Sequence, residues 1–163
     1  MLESHGIPHW VAGGLAAQEH GYRRNTDDVD IIVPCVAEAK EVLRANGFRQ
    51  NPKARDSVIE TATGIVVDLL PGGGKVIGHE PLNLPMPAQV SNKPQVLPLI
   101  DFVNAKLSSG RHKDETDVIE LIKIRSLPRD LPLDEAVRSN FERVWDLAAA
   151  EQAAQAVLNA RGS

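Results

Sequence analysis

Two aspartates, separated by one residue, are the side chains of this chain that are best suited to chemistry. Asp28 and Asp30 lie in an apolar stretch, residues 28–33 (DVDIIV). Side chains alternate between the two faces of a β-strand, so this spacing predicts both carboxylates on one face, about 7 Å apart. Carboxylates held that close repel each other, and a hard divalent cation such as Mg²⁺, which prefers oxygen ligands, removes the repulsion. The pair therefore predicts a divalent-metal site.

A pair of glycines upstream predicts a phosphate site. The segment from Trp10 to Gly14 (WVAGG) is typical of a short strand that ends in a glycine turn at the start of a helix. Free backbone N–H groups and the positive end of the helix dipole favour a phosphate at such a start. A phosphate at Gly13 and Gly14 and a metal at Asp28 and Asp30 would thus share one short unit.

Each of these residues could also have a purely structural role. Asp27 and Asp28 could form a turn, and Asp30 could be a solvated strand residue, because Asp-x-Asp is a common pattern. Arg23 and Arg24, in the loop before the strand, could be two solvated arginines or could help to hold a phosphate. Taken alone, the two patterns leave metal and phosphate binding open.

The types of these residues and their order along the chain resemble the sequence signature of the polymerase-beta-like nucleotidyltransferase superfamily. Its signature is an apolar residue, Gly-Gly or Gly-Ser, a spacer, and Asp-apolar-Asp-apolar. Residues 12–14 (AGG) and 28–31 (DVDI) match this signature, with a spacer of thirteen residues. The superfamily uses a third carboxylate on a neighbouring strand, and Asp68, in the apolar run 64–70 (GIVVDLL), is the matching position. An unpaired acid would be costly in such a run, so we expect a buried Asp68 with a partner.

A second resemblance, to the minimal and abortive-infection-type nucleotidyltransferases, lies further along the chain. Residues 99–106 (LIDFVNAK) and 111–118 (RHKDETDV) carry it. In the resembled proteins a Lys on the first of two helices reaches nucleotide phosphates, and a Lys-Asp pair near the second lies by the same pocket. Lys106, Lys113 and Asp114 are the matching positions. Acids in a first helical turn also complement the helix dipole, which is the alternative interpretation of Asp114.

The resemblance implies transfer of a nucleoside monophosphate from an NTP, such as ATP, to an acceptor, with release of pyrophosphate. Two Mg²⁺ ions would bind the three carboxylates, and Mn²⁺ could replace Mg²⁺. Acceptors in the resembled proteins are tRNA, a partner protein or a small molecule such as an antibiotic, and some of these proteins are toxins with an antitoxin partner. The predicted site residues are the catalytic and metal-binding Asp28, Asp30 and Asp68 and the nucleotide-binding Gly13, Gly14, Arg24, Lys106, Lys113 and Asp114.

Two alternatives come from other functional classes. The chain could be an inactive nucleotidyltransferase-fold module that binds a nucleotide or a partner, or an ordinary structural α/β domain in which the matches are coincidental. Retention of three carboxylates argues against the inactive module, because buried acids without a metal are unfavourable.

The periodicity predicts an α/β (α+β) fold with a small mixed β-sheet flanked by helices, followed by C-terminal helices, and the resemblance implies the nucleotidyltransferase fold. We expect a catalytic core in residues 1–98 and a helical region in 99–163 packed on it, together one compact domain. The predicted elements are a helix end before Gly6, strands at 9–12, 57–63 and 65–70, brief edge strands within 81–98, and helices at 14–21, 36–46, 99–109, 113–125 and 133–160.

Composition excludes several classes of protein. A formal net charge of −4 argues against a surface built throughout for nucleic acid, although a local basic patch stays open. The single Cys35 excludes an internal disulfide, and the five histidines lack the spacing of a zinc site. No apolar run could cross a bilayer and the N-terminus has no signal-peptide pattern, so we expect a cytoplasmic protein without a membrane partner.

Overall fold

The computed structural model describes residues 1–76, 82–91, 93 and 95–161. The chain divides into two compact units, and each contains its own buried apolar side chains. One unit consists of Met1–Glu19, Arg23–Lys75 and Asn83–Pro98, and the other of His20–Tyr22, Val76–Leu82 and Leu99–Ser163.

A mixed β-sheet organises the described part of the first unit. Its elements are β1 (Trp10–Val11), α1 (Gly13–Glu19), β2 (Asp28–Val33), α2 (Val36–Ala45), β3 (Phe48–Gln50), β4 (Ser57–Glu60) and β5 (Val66–Pro71), with a one-turn 3-10 helix, Glu3–His5, before them. The strand order is β1-β2-β5-β4-β3. Strands β2 and β5 pair in parallel, whereas the other neighbouring strands pair antiparallel. The mixed sheet agrees with the predicted fold class.

The core of this unit lies between the sheet and α2. Val29 and Ile31 of β2 pack against a buried cluster that includes Ala39 and Leu43 of α2. This is the face predicted from alternation, and β-branched side chains suit such a half-buried strand. After α2, Gly47 adopts a left-handed φ of +89°, which glycine tolerates and which stops the helix.

Three helices form the described part of the second unit. They are α3 (Leu99–Ser109), α4 (His112–Arg125) and α5 (Glu135–Arg161). Gly110, with a φ of +67°, separates α3 from α4. The helices bury apolar side chains at three- and four-residue spacing, which is the stripe expected for packed helices. None of the helices among the described residues is long and apolar enough to cross a membrane. The largest buried side chains of these helices include Phe102, Val118, Leu121, Phe141 and Val144.

Two of the local differences between the prediction and the structure concern strands. The sequence pattern does not predict β3, because this three-residue strand has one apolar side chain, Phe48. Within residues 81–98, the described part contains isolated bridges instead of a regular edge strand, and these pair Lys75 with Asn83 and Val11 with Val96. Residues 77–81, 92 and 94 lie outside the described residues.

Candidate active site

The parallel pairing of β2 with β5 brings the predicted carboxylates to one face of the sheet. Asp30 and Asp68 are Cα partners in register, and Asp28 pairs with Val66, two residues before Asp68. Residues in register on adjacent strands project to the same side, as do residues i and i+2 of one strand. The three carboxylates therefore share one face, opposite to the face on which Val29 packs against the core.

Asp68 is half-buried, which corrects the expectation of a buried acid. Its neighbours Val67 and Leu69 are 6% and 2% exposed because they point into the core. Alternation turns Asp68 to the other face, where Asp30 is also half-buried and Asp28 is exposed. All three carboxylates thus keep access to solvent, as a metal or substrate site requires.

The carboxylates share a face without converging on one point. Over residues 1–76, 82–91, 93 and 95–161, no group of three or more His, Cys, Asp or Glu side chains is arranged to hold a metal ion. Asp28 is engaged elsewhere, because its Oδ1 accepts a hydrogen bond from Thr26 Oγ1 at 2.8 Å. The donor set, three carboxylates on one face, nevertheless has the chemistry that Mg²⁺ and Mn²⁺ prefer.

The glycine turn lies directly against the acidic strand. Gly13 has a left-handed φ of +56°, and a Cβ there would lie 1.7 Å from Asp30 Oδ2. A Cβ at Gly14 would lie 2.6 Å from Thr26 Oγ1. At Gly13 only glycine satisfies both the backbone conformation and the close approach. The two glycines therefore bring the start of α1 into contact with Asp30 and with the loop before β2.

Gly13→Ala is expected to destabilise the protein by more than Gly6→Ala. Both glycines have a left-handed φ, +56° and +71°, so both substitutions carry a backbone strain of about 1–2 kcal/mol. A Cβ at Gly6 meets no atom within 4 Å, whereas one at Gly13 overlaps the Asp30 carboxylate. The difference between the two free energies of unfolding, measured by urea denaturation, isolates the overlap. Equal losses would contradict the close packing of Gly13 on Asp30.

Of the two loop arginines, Arg24 lies against the glycine turn. Its Nη2 is 3.2 Å from the position that a Cβ of Gly14 would take. Its carbonyl oxygen accepts a hydrogen bond from Gln18 Nε2 of α1 at 2.7 Å, which ties the loop to that helix. Arg23 is exposed. Arg24 is therefore the arginine that lies next to the predicted phosphate site.

In the second unit, Lys106 and Asp114 belong to a buried ion cluster. Lys106 is 7% exposed, and its Nζ lies 2.6 Å from Asp114 Oδ1 and 2.7 Å from Asp117 Oδ2. Asp114 is fully buried, and its Oδ2 accepts hydrogen bonds from Ser109 Oγ and Arg111 Nε, both at 2.5 Å. The cluster links the end of α3 to the start of α4.

This cluster bears on the predicted phosphate role of Lys106. Two buried carboxylates neutralise its ammonium group, so a phosphate would have to compete with Asp114 and Asp117 for it. Burial by itself would raise the pKa of Asp114, but the charge of Lys106 and three side-chain hydrogen bonds outweigh burial and lower this pKa. Lys113, by contrast, is exposed and forms no ion pair with another described residue. The nucleotide-binding roles of Lys106, Lys113 and Asp114 stay predictions.

Asp117 and Thr26 contact predicted site residues but are not among the residues predicted for the site. Asp117 follows Asp114 by three residues, so both lie on one face of α4, and this spacing was an available signal. The contact of Thr26 with Asp28 does not follow from spacing, because it depends on the conformation of the loop before β2.

The chain resembles several solved structures at low sequence identity. No protein-family model matches the chain, and no curated protein matches it. A solution structure of the antibiotic-resistance factor ANT(2'')-Ia is similar over 99% of this chain and 90% of its own, with 14% identity and a TM-score of 0.44. A crystal structure of ANT(2'')-Ia in complex with adenylyl-2''-tobramycin is similar over 99% of this chain and 92% of its own, with 14% identity and a TM-score of 0.35.

The third is a crystal structure of a tRNA nucleotidyltransferase complexed with a primer tRNA and an incoming ATP analog. It is similar over 90% of this chain, with 13% identity and a TM-score of 0.34, and the likeness spans 49% of its own length. These TM-scores are too low to assign a role to any residue of this chain. The observations that support the candidate site are therefore the positions and contacts of its own residues.

Proposed function

We propose that this chain is a nucleotidyltransferase, which transfers a nucleoside monophosphate from an NTP to an acceptor and releases pyrophosphate. The observation that carries the proposal is the pairing of Asp30 with Asp68 on adjacent parallel strands, with Asp28 on the same face. The Gly13 turn packs directly on Asp30. A set of oxygen ligands and a candidate phosphate site thus adjoin, which is what metal-assisted transfer of a phosphoryl group needs.

Asp28, Asp30 and Asp68 would hold one or two Mg²⁺ ions, or Mn²⁺ in their place. Metal bound there would lower the pKa of the acceptor and neutralise charge on the departing pyrophosphate. Asp30 and Asp68 lie within their strands and side by side on one face, so they would form the fixed part of the ligand set. Asp28 would exchange its hydrogen bond from Thr26 for the metal.

The triphosphate of the NTP would bind at the glycine turn. Gly13 and Gly14 begin α1, so the first backbone N–H groups of this helix would bind the phosphate, and Arg24 Nη2 lies 3.2 Å from the position that a Cβ of Gly14 would take. Charge-assisted hydrogen bonds from an arginine strengthen the binding of phosphate. We retain, on the resemblance, a role in nucleotide binding for Lys106, Lys113 and Asp114.

The proposal also concerns the acceptor, the molecule that receives the nucleoside monophosphate. The resemblance allows a tRNA, a partner protein or a small molecule such as an antibiotic, and it includes toxins that have an antitoxin partner. Each of these acceptors offers a hydroxyl or a similar nucleophile that the carboxylate face could activate. We further propose that the protein acts in the cytoplasm, where its single Cys35 stays reduced.

A thermal-shift experiment with Mg²⁺ and each of the four NTPs tests the proposal. A ligand that binds only the native state raises the melting temperature, by about 5–10 °C at about one hundred times its Kd for a chain of this size. We expect a metal-dependent shift with at least one NTP. This shift should be lost in the Asp28→Ala/Asp30→Ala variant and kept in the matched variant Asp27→Ala, which removes an exposed acid outside β2.

The other possible results of the thermal-shift experiment would argue against the proposed function. A shift that survives the Asp28→Ala/Asp30→Ala substitution would contradict the metal site. A metal-dependent shift without pyrophosphate release, in the presence of a cell extract as a source of acceptors, would favour an inactive nucleotide-binding module. No shift with any NTP would favour an ordinary structural domain.

A further inference from the structure

The strongest local concentration of positive charge lies in residues 40–55, which run from α2 into the loop after β3. The segment contains five Lys or Arg residues and a single acid, Glu41. The whole chain carries a formal net charge of −4, so the segment is opposite in sign to the chain as a whole. The five cations are Lys40, Arg44, Arg49, Lys53 and Arg55.

These cations are available to a ligand. Four of them are exposed and Lys40 is half-buried. Within the part of the chain that the structure describes, none of the five forms an ion pair, whereas Lys106, Lys123 and Arg143 each pair with an acid. Lys40 Nζ donates instead to the carbonyl oxygen of Arg55 at 2.5 Å. A group of like charges without acidic partners raises the local potential and attracts a polyanion.

Four of the five cations line an open groove beside α2, and Lys53 lies outside its lining. Two cavities, of about 550 and 460 Å³, make up this groove, and they share Glu41 and Arg44 in their linings. Four cations and two acids line the groove, so its lining carries a net positive charge. The charged lining residues are Lys40, Arg44, Arg49, Arg55, Glu41 and Asp56.

Side-chain hydrogen bonds hold the β3–β4 loop, which carries Lys53 and Arg55. Gln50 Nε2 donates to the carbonyl oxygens of Arg55 at 3.1 Å and Ser57 at 3.0 Å. Asn51 Nδ2 donates to Ser57 Oγ at 2.9 Å, and this pair is buried. A loop that is already ordered loses less conformational entropy when a ligand binds. The side of the groove that the β3–β4 loop forms is therefore preorganised for binding.

We propose that this groove binds the phosphate backbone of a nucleic acid that has unpaired bases. Arginine matches phosphate with two parallel hydrogen bonds, and three of the five cations are arginines. Phe48 is half-buried: it packs against the core cluster and also lines the smaller cavity with Arg44 and Arg49, where we expect the exposed part of its ring to stack on a base. An acidic peptide would use the same charges but not the ring.

The groove is separate from the candidate active site. Its helical wall belongs to α2, which packs on the face of the sheet that carries Val29, and Asp30 lies on the opposite face. Binding of nucleic acid at the groove therefore needs neither metal nor NTP. The inference stands independently of the proposed nucleotidyl transfer.

The test measures binding of a fluorescein-labelled RNA hairpin with a single-stranded loop, by anisotropy at increasing KCl concentrations. Four phosphate contacts, one for each cation that lines the groove, predict a loss of affinity of about 150-fold between about 50 and 200 mM salt. Arg44→Gln/Arg49→Gln/Arg55→Gln should reduce the slope of log affinity against log salt by about three. None of these guanidinium groups donates a hydrogen bond to another described residue, so the variant should keep its melting temperature. The matched control removes three exposed cations elsewhere, Lys75→Gln/Lys93→Gln/Arg161→Gln, and should bind as the unmodified protein does.

Four results would overturn the proposal. The first is no binding of the hairpin at low salt, and the second is an equal loss in both triple variants, which would show an effect of net charge alone. The third is displacement of the hairpin by poly-glutamate of equal charge at similar concentration, which would assign the groove to an acidic protein. The fourth is loss of hairpin binding in Asp30→Asn, which would show that the groove depends on the carboxylate face.

Discussion

Asp30→Asn is expected to slow Mg²⁺-dependent nucleotidyl transfer by about a thousandfold or more while the fold is kept. The amide has the shape of the carboxylate, so the Gly13 turn that packs on Asp30 keeps its place. The substitution removes the charge of a proposed metal ligand that lies beside Asp68 on the paired parallel strand. A metal supplies several kcal/mol of transition-state stabilisation, and about 4 kcal/mol corresponds to three powers of ten in rate.

Release of pyrophosphate from an NTP measures this effect, with a cell extract as the source of acceptor and circular dichroism as the check on folding. Asp27→Asn is the matched control, because it removes the same charge from an exposed residue directly before β2. This control should keep the full rate. An undiminished rate of pyrophosphate release in Asp30→Asn would contradict the proposed mechanism.

Lys106→Met is expected to lower the free energy of unfolding by about 3–5 kcal/mol. Methionine fills a similar volume but removes the ammonium that lies between Asp114 and Asp117. These carboxylates are 0% and 2% exposed, so they stay in the interior without their shared cation. Ser109 and Arg111 still donate to Asp114 and compensate only part of the loss. Such a loss is a large fraction of the total stability of a domain, about 5–15 kcal/mol.

Urea denaturation measures the change, with Lys123→Met as the control. Lys123 Nζ lies 2.5 Å from Glu120 and 2.9 Å from Glu151, but this cluster is partly exposed to water. Removal of an ion pair in contact with solvent costs about 1 kcal/mol or less. Equal small losses in the two variants would contradict a stabilising role for the Lys106 cluster.

The elements that follow from local pattern could be predicted from the sequence. The helices α3, α4 and α5 follow from apolar spacing and from Gly110, because burial of one helical face governs those positions. The shared face of Asp28 and Asp30 follows from alternation within a single strand. The glycine turn also follows from local sequence, because few residues other than glycine adopt the left-handed conformation of Gly13.

The features that depend on distant residues could not be predicted in the same way. The register of Asp30 with Asp68 joins two strands that are far apart in the chain, and pairing of this kind is decided by the whole sheet. The half-burial of Asp68 depends on which face of β5 the core covers, which its apolar neighbours on both sides do not reveal. The position of Lys106 between two acids depends on how α3 meets α4.

Binding of Mn²⁺ tests most directly whether Asp28, Asp30 and Asp68 form a metal site. Free Mn²⁺ has an electron paramagnetic resonance signal that falls on binding, so a titration counts bound ions without any acceptor. With an NTP analogue that cannot be cleaved, we expect the unmodified protein and Asp27→Asn to bind Mn²⁺. The same titration should show that Asp28→Asn/Asp30→Asn/Asp68→Asn loses this binding at an unchanged fold. Undiminished Mn²⁺ binding in that triple variant, or no binding in the unmodified protein, would contradict a metal site on the carboxylate face.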